Sequence, residues 1–176
     1  MREAAIKLPP MNIRFRIADL QDHAPIRELV DQAFRPEDVV TFLDALRAAD
    51  CLIGEWLAED ASGALGHIAF SRALLETDAA GMRKAAFLTP LAARPDRQRQ
   101  GVGLQLMGYA LRALEAVGED LFFVIGHPAY YPKAGFSAAA TQGVESPWRG
   151  KPAFMARCAA PPRGRLVAPA VILEAH

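Results

Sequence analysis

Residues 84–125 constrain the fold more than any other part of this sequence. Residues 84–93 form a very apolar segment typical of a strand, and residues 100–117 repeat apolar side chains at helical spacing. The uninterrupted apolar run at residues 121–125 is typical of a strand that is buried on both faces. A strand, a helix and a second buried strand predict a βαβ unit with parallel strands and a right-handed crossover.

The rest of the chain predicts an antiparallel meander, two helices and a C-terminal segment that contains strands. One helix is expected to begin at Asp22, which caps it, and a second short helix near Pro36. Turn-forming clusters at residues 59–63 and 78–81 separate the central strands, and Gly118 suits the C-cap of the long helix. Strands are expected at residues 12–18, 51–58 and 65–74, and near residues 153–159 and 165–173.

Composition disfavours several classes of protein. The chain has 176 residues, a formal net charge of zero and two cysteines, Cys51 and Cys158. Neutral charge argues against a nucleic-acid partner or an anionic membrane, and no apolar run approaches the ~20 residues that span a bilayer. The cysteines and histidines lack metal-ligand spacing, so we expect no metal. The N-terminus lacks the apolar region of a secretory signal, and we therefore expect a cytoplasmic protein with free thiols.

Residues 94–103 form a loop that can hold phosphate groups. The helix that follows presents backbone N–H groups without intrahelical partners in its first turn, and Gly101 and Gly103 let a diphosphate approach them. The dinucleotide fingerprint is excluded because Leu106 stands where it requires a small residue, and the Walker A lysine is missing. The alternative to a phosphate loop is a plain glycine-containing turn with a solvated arginine face. Three arginines add positive charge to the loop: Arg94, Arg97 and Arg99.

Pro90 lies inside the otherwise regular strand of residues 84–93. Proline cannot donate a hydrogen bond to a strand ladder and is found at edges or bulges. If the strand diverges from its parallel neighbour here, its free backbone N–H and C=O groups can pair with an extended ligand that carries amides. A simple bulge without a ligand is the alternative.

Two motifs resemble landmarks of the GNAT family of N-acetyltransferases. Residues 91–103 resemble the family's signature loop, with a Q-x-x-G-x-G core at residues 98–103, and residues 127–136 resemble its second landmark, a tyrosine shortly before Gly-Phe. The Gly-His-Pro-x-Tyr-Tyr stretch and the later Ser146-Pro147-Trp148 resemble a bacterial branch of that family. The resemblance is clearest over residues 12–159. It implies an α/β fold whose mostly antiparallel central sheet contains a parallel βαβ unit, splayed to accept acetyl-coenzyme A (acetyl-CoA).

The resemblance also implies the domain organisation. Residues 12–176 are expected to form a single N-acetyltransferase domain. Residues 1–11, which contain Pro9-Pro10, are expected to be an N-terminal extension.

The resemblance further implies roles for individual residues. Tyr131 is expected near the thioester sulfur as the catalytic residue, and Tyr130 is the better candidate for packing at the sheet edge. Backbone groups near the end of the apolar strand are expected to pair with the pantetheine arm, and N–H groups of the loop and helix start to hold the pyrophosphate. The coenzyme-binding residues expected from the resemblance are Leu91, Ala92, Ala93, Gln98, Arg99, Gln100, Gly101, Val102, Gly103 and Leu104.

The sequence leaves both a functional and a structural interpretation open for several residues. A protonated amine cannot attack a thioester, and Glu55, His67 or a water-linked Glu76 could act as the base, although each is equally explained by a structural role. Trp148 and Phe154 either line the acceptor pocket or pack in the core.

The sequence therefore predicts an enzyme that moves the acetyl group of acetyl-CoA onto a primary amine. The acceptor is an unidentified small molecule or protein, and assembly into a homodimer is left open. The main alternative is an acyl-CoA-binding sensor or regulatory module without turnover. A third alternative, an RNA-associated protein that uses the arginines of residues 94–99, is disfavoured by the neutral net charge.

Overall fold

The computed structural model describes residues 12–35, 37–79 and 81–175. The predicted N-terminal extension, residues 1–11, and Pro36, near which the second helix was expected to begin, lie outside the described residues. The strands are β1 (Arg14–Ile17), β2 (Leu52–Asp60), β3 (Gly63–Thr77), β4 (Gly81–Ala93), β5 (Leu121–Ile125), β6 (Val144–Glu145), β7 (Phe154–Cys158) and β8 (Gly164–Val167). The helices are α1 (His23–Phe34), α2 (Val39–Ala48), α3 (Val102–Ala116) and α4 (Ala170–Glu174).

The strands form one mixed sheet in the order β1-β2-β3-β4-β5-β7. These neighbours are antiparallel except for β4 and β5, which are parallel. β8 pairs with residues 74–76 at the outer end of β3 and with the short strand β6. The predicted α/β fold, with a mainly antiparallel sheet and one parallel βαβ unit, is therefore confirmed.

α3 connects the two parallel strands and covers one face of the sheet. It begins at Val102 rather than at Gln100, because Gly101 adopts the left-handed conformation, with φ of +84°. It ends as predicted before Gly118, whose φ is +94°. Burial of each large aliphatic side chain contributes about 1.5–3 kcal/mol. The buried side chains of α3 are Val102, Leu106, Met107, Ala110, Leu111 and Leu114.

α1 and α2 cover the opposite face of the sheet. Ile26, Leu29 and Val30 of α1 are buried, and α2 adds Leu43 and Leu46. α1 packs against Leu57 of β2, Ala69 of β3 and Ala92 of β4. The side chains of a strand alternate between faces, so neighbouring residues of β4 contact different helices.

The C-terminal segment differs from the prediction. The strand expected at residues 165–173 ends at Val167, and a short helix, α4, follows. Pro169 explains the change because its fixed φ and missing N–H suit the residue before a helix and not a strand ladder. The two-residue strand β6 was not predicted. Within the described residues, no helix is both long enough and apolar enough to cross a membrane.

Candidate active site

β4 and β5 separate next to the proline that the sequence places in β4. The parallel ladder consists of the pairs Ala86–Phe122 and Phe87–Phe123, whereas both strands continue beyond it. The register of β4 against β3 also shifts beside Pro90. The predicted divergence is therefore present, and the β5-facing edge of β4 beyond Phe87 borders a gap.

A cavity of about 1070 Å³ includes this gap. It lies between β4, the loop before α3, the segment after β5, and the connection between α1 and α2. Its volume is at the upper end of the range for small-molecule sites, which suits a long ligand. The lining includes Leu88, Thr89, Pro90 and Leu91 of β4, Gly101 to Leu104 at the start of α3, Ile125 to His127 after β5, and Phe34, Glu37, Asp38, Val39 and Phe42 beside α2.

Two glutamines fix the loop that precedes α3. The side-chain amide of Gln98 donates a hydrogen bond to the carbonyl oxygen of Ala93 at 3.1 Å. The amide of Gln100 donates to the carbonyl oxygen of Asp96 at 2.8 Å. These contacts hold the loop in a tight turn, and Gly101 completes the turn in a conformation that favours glycine.

Gly103, in the first turn of α3, faces the hydroxyl of Tyr130 across a narrow space. A Cβ atom added to Gly103 would lie 2.6 Å from the Tyr130 Oη atom. The N–H groups at the start of an α-helix lack intrahelical partners and carry partial positive charge. The absence of a side chain at Gly103 keeps these groups accessible from the cavity.

The three loop arginines differ in their charge balance. Arg94 forms an ion pair with Asp96 at 2.6 Å, and Arg97 lies 3.4 Å from Asp60. Arg99 lines the cavity, and among the described residues its guanidinium makes no hydrogen bond or ion pair. The positive charges that Arg94 and Arg97 add to the loop are thus compensated by aspartates.

The residues expected to bind coenzyme mostly border the cavity. Ala92 and Gln100 are absent from its lining: Ala92 is buried against α1, and the side chain of Gln100 holds the loop. The predicted residues that line the cavity are Leu91, Ala93, Gln98, Arg99, Gly101, Val102, Gly103 and Leu104.

Tyr131 and Tyr130 line the cavity from the segment after β5. The ring of Tyr131 lies against Gly126, where a Cβ atom would be 2.1 Å from its Cε2 atom. Tyr131 meets Phe136 edge-on, with 6.0 Å between ring centroids. Burial raises the pKa of Tyr131 well above its usual value, so the hydroxyl is protonated near neutral pH. Within the described part of the chain this hydroxyl has no hydrogen-bond partner, and its proton is available to a ligand.

Two features of the cavity were missed by the sequence analysis. Ser71 and Thr89 form a buried pair, with 2.8 Å between the hydroxyl oxygens, and Thr89 lines the cavity. The signal for this pair is a hydroxyl residue within the apolar part of each of two neighbouring strands. The wall formed by Phe34 and Phe42 has no comparable signal, because it depends on how the α1–α2 connection packs over β4.

Glu55 and His67, two of the candidate bases, are joined in a buried polar cluster. The Nε2 atom of His67 lies 2.8 Å from Glu55 Oε1, and Arg47 donates to both oxygens of Glu55 at 2.7 and 3.1 Å. Burial disfavours the charged form of Glu55, but the hydrogen bonds from His67 and Arg47 outweigh it and lower its pKa to about 2. Burial lowers the pKa of His67, so its neutral ring donates from Nε2. Neither residue lines the cavity.

The remaining candidates also lie outside the cavity lining. Glu76 forms an ion pair with Arg165 at the outer end of β3. Trp148 and Phe154 pack in the core, with 5.8 Å between their ring centroids, and are almost fully buried. Among the described residues, no three or more His, Cys, Asp or Glu side chains form a cluster that could hold a metal.

Similarity to known proteins agrees with this geometry. No protein-family model matches the sequence. Over 143 residues the chain is 34% identical to the Escherichia coli K12 protein named uncharacterized N-acetyltransferase YjhQ, covering 76% of this chain and 75% of YjhQ. A GNAT family acetyltransferase from Brucella melitensis, solved in complex with acetyl-CoA, is 29% identical, with a TM-score of 0.75 over 92% of this chain and 99% of that one. The chain belongs to the GNAT family of N-acetyltransferases.

The GNAT fold is also shared with a more distant structure. E. coli YhbS, a GNAT family N-acetyltransferase solved in complex with CoA, superposes with a TM-score of 0.80 at 23% identity over 93% of each chain. At this identity the likeness concerns the fold alone. The resemblance drawn from the two sequence motifs is thus confirmed at the level of the GNAT family and its fold.

Proposed function

We propose that this GNAT protein transfers the acetyl group of acetyl-CoA to a primary amine of a small molecule or protein. The observation that carries the proposal is the gap between β4 and β5, which opens into a cavity shared by the glycine loop and Tyr131. The related Brucella melitensis enzyme was solved with acetyl-CoA, which supports the choice of acetyl donor.

The coenzyme would bind along β4 and the start of α3. Backbone groups of Leu91 and Ala93 on the open edge of β4 would pair with the amides of the pantetheine arm. The first N–H groups of α3 would hold the pyrophosphate, where Gly101 and Gly103 let it approach closely. The guanidinium of Arg99, which has no partner among the described residues, would add a positive charge that compensates the pyrophosphate.

Positioning of two reactants would supply much of the rate enhancement. The amine nitrogen attacks the thioester carbon, so that a C–N bond forms and the C–S bond breaks. The electron pair of the broken bond leaves with sulfur as a thiolate, and the extra proton on nitrogen is released to water. A backbone N–H near Ala93 would stabilise the developing oxyanion.

Tyr131 would assist departure of the thiolate by donating a hydrogen bond to sulfur. The reference pKa of tyrosine is about 10 and that of a thiol about 8.5, so full proton transfer is already uphill. Burial raises the pKa of Tyr131 further, which strengthens the case for a hydrogen bond over proton transfer.

The acceptor amine would enter beside α2. Phe34, Val39 and Phe42 give this part of the cavity an apolar wall, and the carboxylates of Glu37 and Asp38 lie beside it. Asp38 also accepts hydrogen bonds from Thr41, which fix its orientation. An apolar wall with neighbouring carboxylates suits an amine that carries an apolar group.

Calorimetric titration tests the donor site directly. We expect acetyl-CoA and free CoA to bind with micromolar affinity, corresponding to about 8 kcal/mol, and NAD not to bind. Absence of CoA binding by correctly folded protein would remove the proposed function.

A methyl group at Gly103 is expected to weaken this binding. The Gly103→Ala change should raise the dissociation constant of acetyl-CoA by about tenfold or more, equivalent to at least about 1.4 kcal/mol, because the methyl group occupies the narrow space before Tyr130. The matched control is Gly108→Ala on the same helix, where the nearest atom is on the side chain of Arg112 at 3.3 Å. Equal affinities for the two variants in calorimetry would contradict a phosphate site at Gly103.

A further inference from the structure

The buried hydroxyl pair formed by Ser71 and Thr89 lies at the edge of the cavity. Ser71 is fully buried and Thr89 is 3% exposed, yet Thr89 borders the cavity where β4 leaves β5. Ser71 lies two residues from both Ala69 and Ala73 on β3, and these two alanines pack on the face covered by α1 and α2, so the Ser71 side chain points to that face. Thr89 therefore belongs to the same side as the proposed acceptor wall.

The number of hydroxyl hydrogens determines which residue donates in the hydrogen bond between Ser71 and Thr89. Within the described residues Ser71 Oγ has only Thr89 as a partner, so a buried Ser71 proton is satisfied only if Ser71 donates to Thr89. The Thr89 hydroxyl can then donate to the carbonyl oxygen of Phe87 at 3.4 Å. A hydroxyl oxygen has two lone pairs, and Ser71 occupies one. The other lone pair of Thr89, a residue that lines the cavity, then has no donor among the described residues.

We propose that Thr89 Oγ1 accepts a hydrogen bond from the attacking amine and that Ser71 holds it in position to do so. This inference rests on the proposed acetyl transfer. An amine bound through one N–H directs its own lone pair away from Thr89. As the C–N bond forms, nitrogen acquires positive charge and its N–H becomes a stronger donor, so the contact with Thr89 strengthens in the transition state. Thr89 takes no proton and acts only as an acceptor of the hydrogen bond.

Kinetics of four variants test this role. The probes are 2-phenylethylamine, spermidine and lysine methyl ester at saturating acetyl-CoA. Thr89→Val is expected to lower kcat by about 10- to 100-fold, the range for a lost hydrogen bond to a charged group, and to change the KM for acetyl-CoA by less than about twofold. Thr89→Ser, which keeps the hydroxyl, should restore kcat to within about threefold of the original chain.

The double variant Ser71→Ala/Thr89→Val tests whether a loss of kcat in Thr89→Val comes from destabilisation of the core. Thr89→Val alone leaves the Ser71 proton without an acceptor and can destabilise the core, whereas the double variant buries no unpaired hydroxyl. It should match Thr89→Val in kcat while its melting temperature stays close to that of the original chain. Ser71→Ala, which frees the Thr89 hydroxyl to rotate, should lower kcat by a smaller factor.

Each outcome bears on one of the two proposals. A stable double variant with the original kcat overturns the role of Thr89. A protein that binds acetyl-CoA in calorimetry but acetylates none of the three amines also overturns it, because Thr89 then has no amine to orient. Failure to bind acetyl-CoA at all counts against the proposed function itself and is recognised before any amine is added.

Discussion

Replacement of Tyr131 by phenylalanine should lower kcat by about 10²- to 10³-fold, the range for loss of one hydrogen-bond donor to a developing negative charge, while acetyl-CoA still binds. The change removes only the hydroxyl and keeps the ring contacts with Gly126 and Phe136. Loss of the hydrogen bond to sulfur raises the barrier to thiolate departure, whereas the coenzyme remains held by β4 and α3. Stopped-flow or steady-state detection of free thiol measures kcat, and calorimetry measures binding.

Two further tyrosine variants test whether the loss of kcat is specific to the hydroxyl of Tyr131. Tyr109→Phe is the matched control, because Tyr109 stacks on Phe15 with 5.7 Å between ring centroids and lies outside the cavity lining. Its kcat should stay within about twofold of the original chain. If Tyr131→Phe retains full activity and Tyr130→Phe loses it, the roles of the two neighbours are exchanged. If the original chain binds acetyl-CoA but produces no thiol with any amine, the protein is better described as an acyl-CoA-binding module.

The second large effect is expected on stability. Glu55→Ala should lower the free energy of unfolding by about 3–5 kcal/mol, because it leaves Arg47 and His67 without their shared partner in a buried setting. Urea unfolding near pH 7.5 measures the change. The matched control is Glu76→Ala, which removes an exposed ion pair with Arg165 and should cost at most about 1 kcal/mol.

The pH dependence separates the ion pair from a simple loss of packing. The pKa of Glu55 is lowered from 4.5 to about 2, so its stabilising effect is fully present above about pH 4.5 and is lost as the pH falls toward 2. The stability difference between the original chain and Glu55→Ala should therefore narrow over this window. A difference that is the same at pH 7.5 and pH 3 would contradict the ionic origin of the effect.

Local patterns predicted the elements that border the proposed donor site. The apolar run of β5 has the bounds that its sequence indicated, and the position of Pro90 indicated where β4 leaves its neighbour. Both signals are local, since burial on two faces needs a continuous apolar run and proline lacks an N–H. The glycines before α3 likewise reveal a required backbone conformation.

Side-chain contacts between different helices and strands could not be predicted from such local patterns. From the sequence alone, Glu55 could equally be a solvent-facing residue or a base. Only the packing of α2 against β2 brings Arg47 within hydrogen-bond distance of it. Ser71 and Thr89 are separated by a hairpin whose register decides whether their hydroxyls meet. The proposed acceptor wall beside α2 depends in the same way on tertiary packing. For these reasons the elements around the proposed donor site were predicted more completely than the cavity wall beside α2.

The divergence of β4 and β5 leaves unpaired backbone in the middle of the sheet and not at its border. Unpaired edges at a border are templates for pairing with strands of other chains, and proteins must protect them against aggregation. Here β3 covers one edge of β4, and the ladder at Ala86 and Phe87 closes one end of the gap on the other. The gap is therefore shielded from the edge-to-edge association that an exposed strand invites, while its backbone groups remain available to a slender ligand.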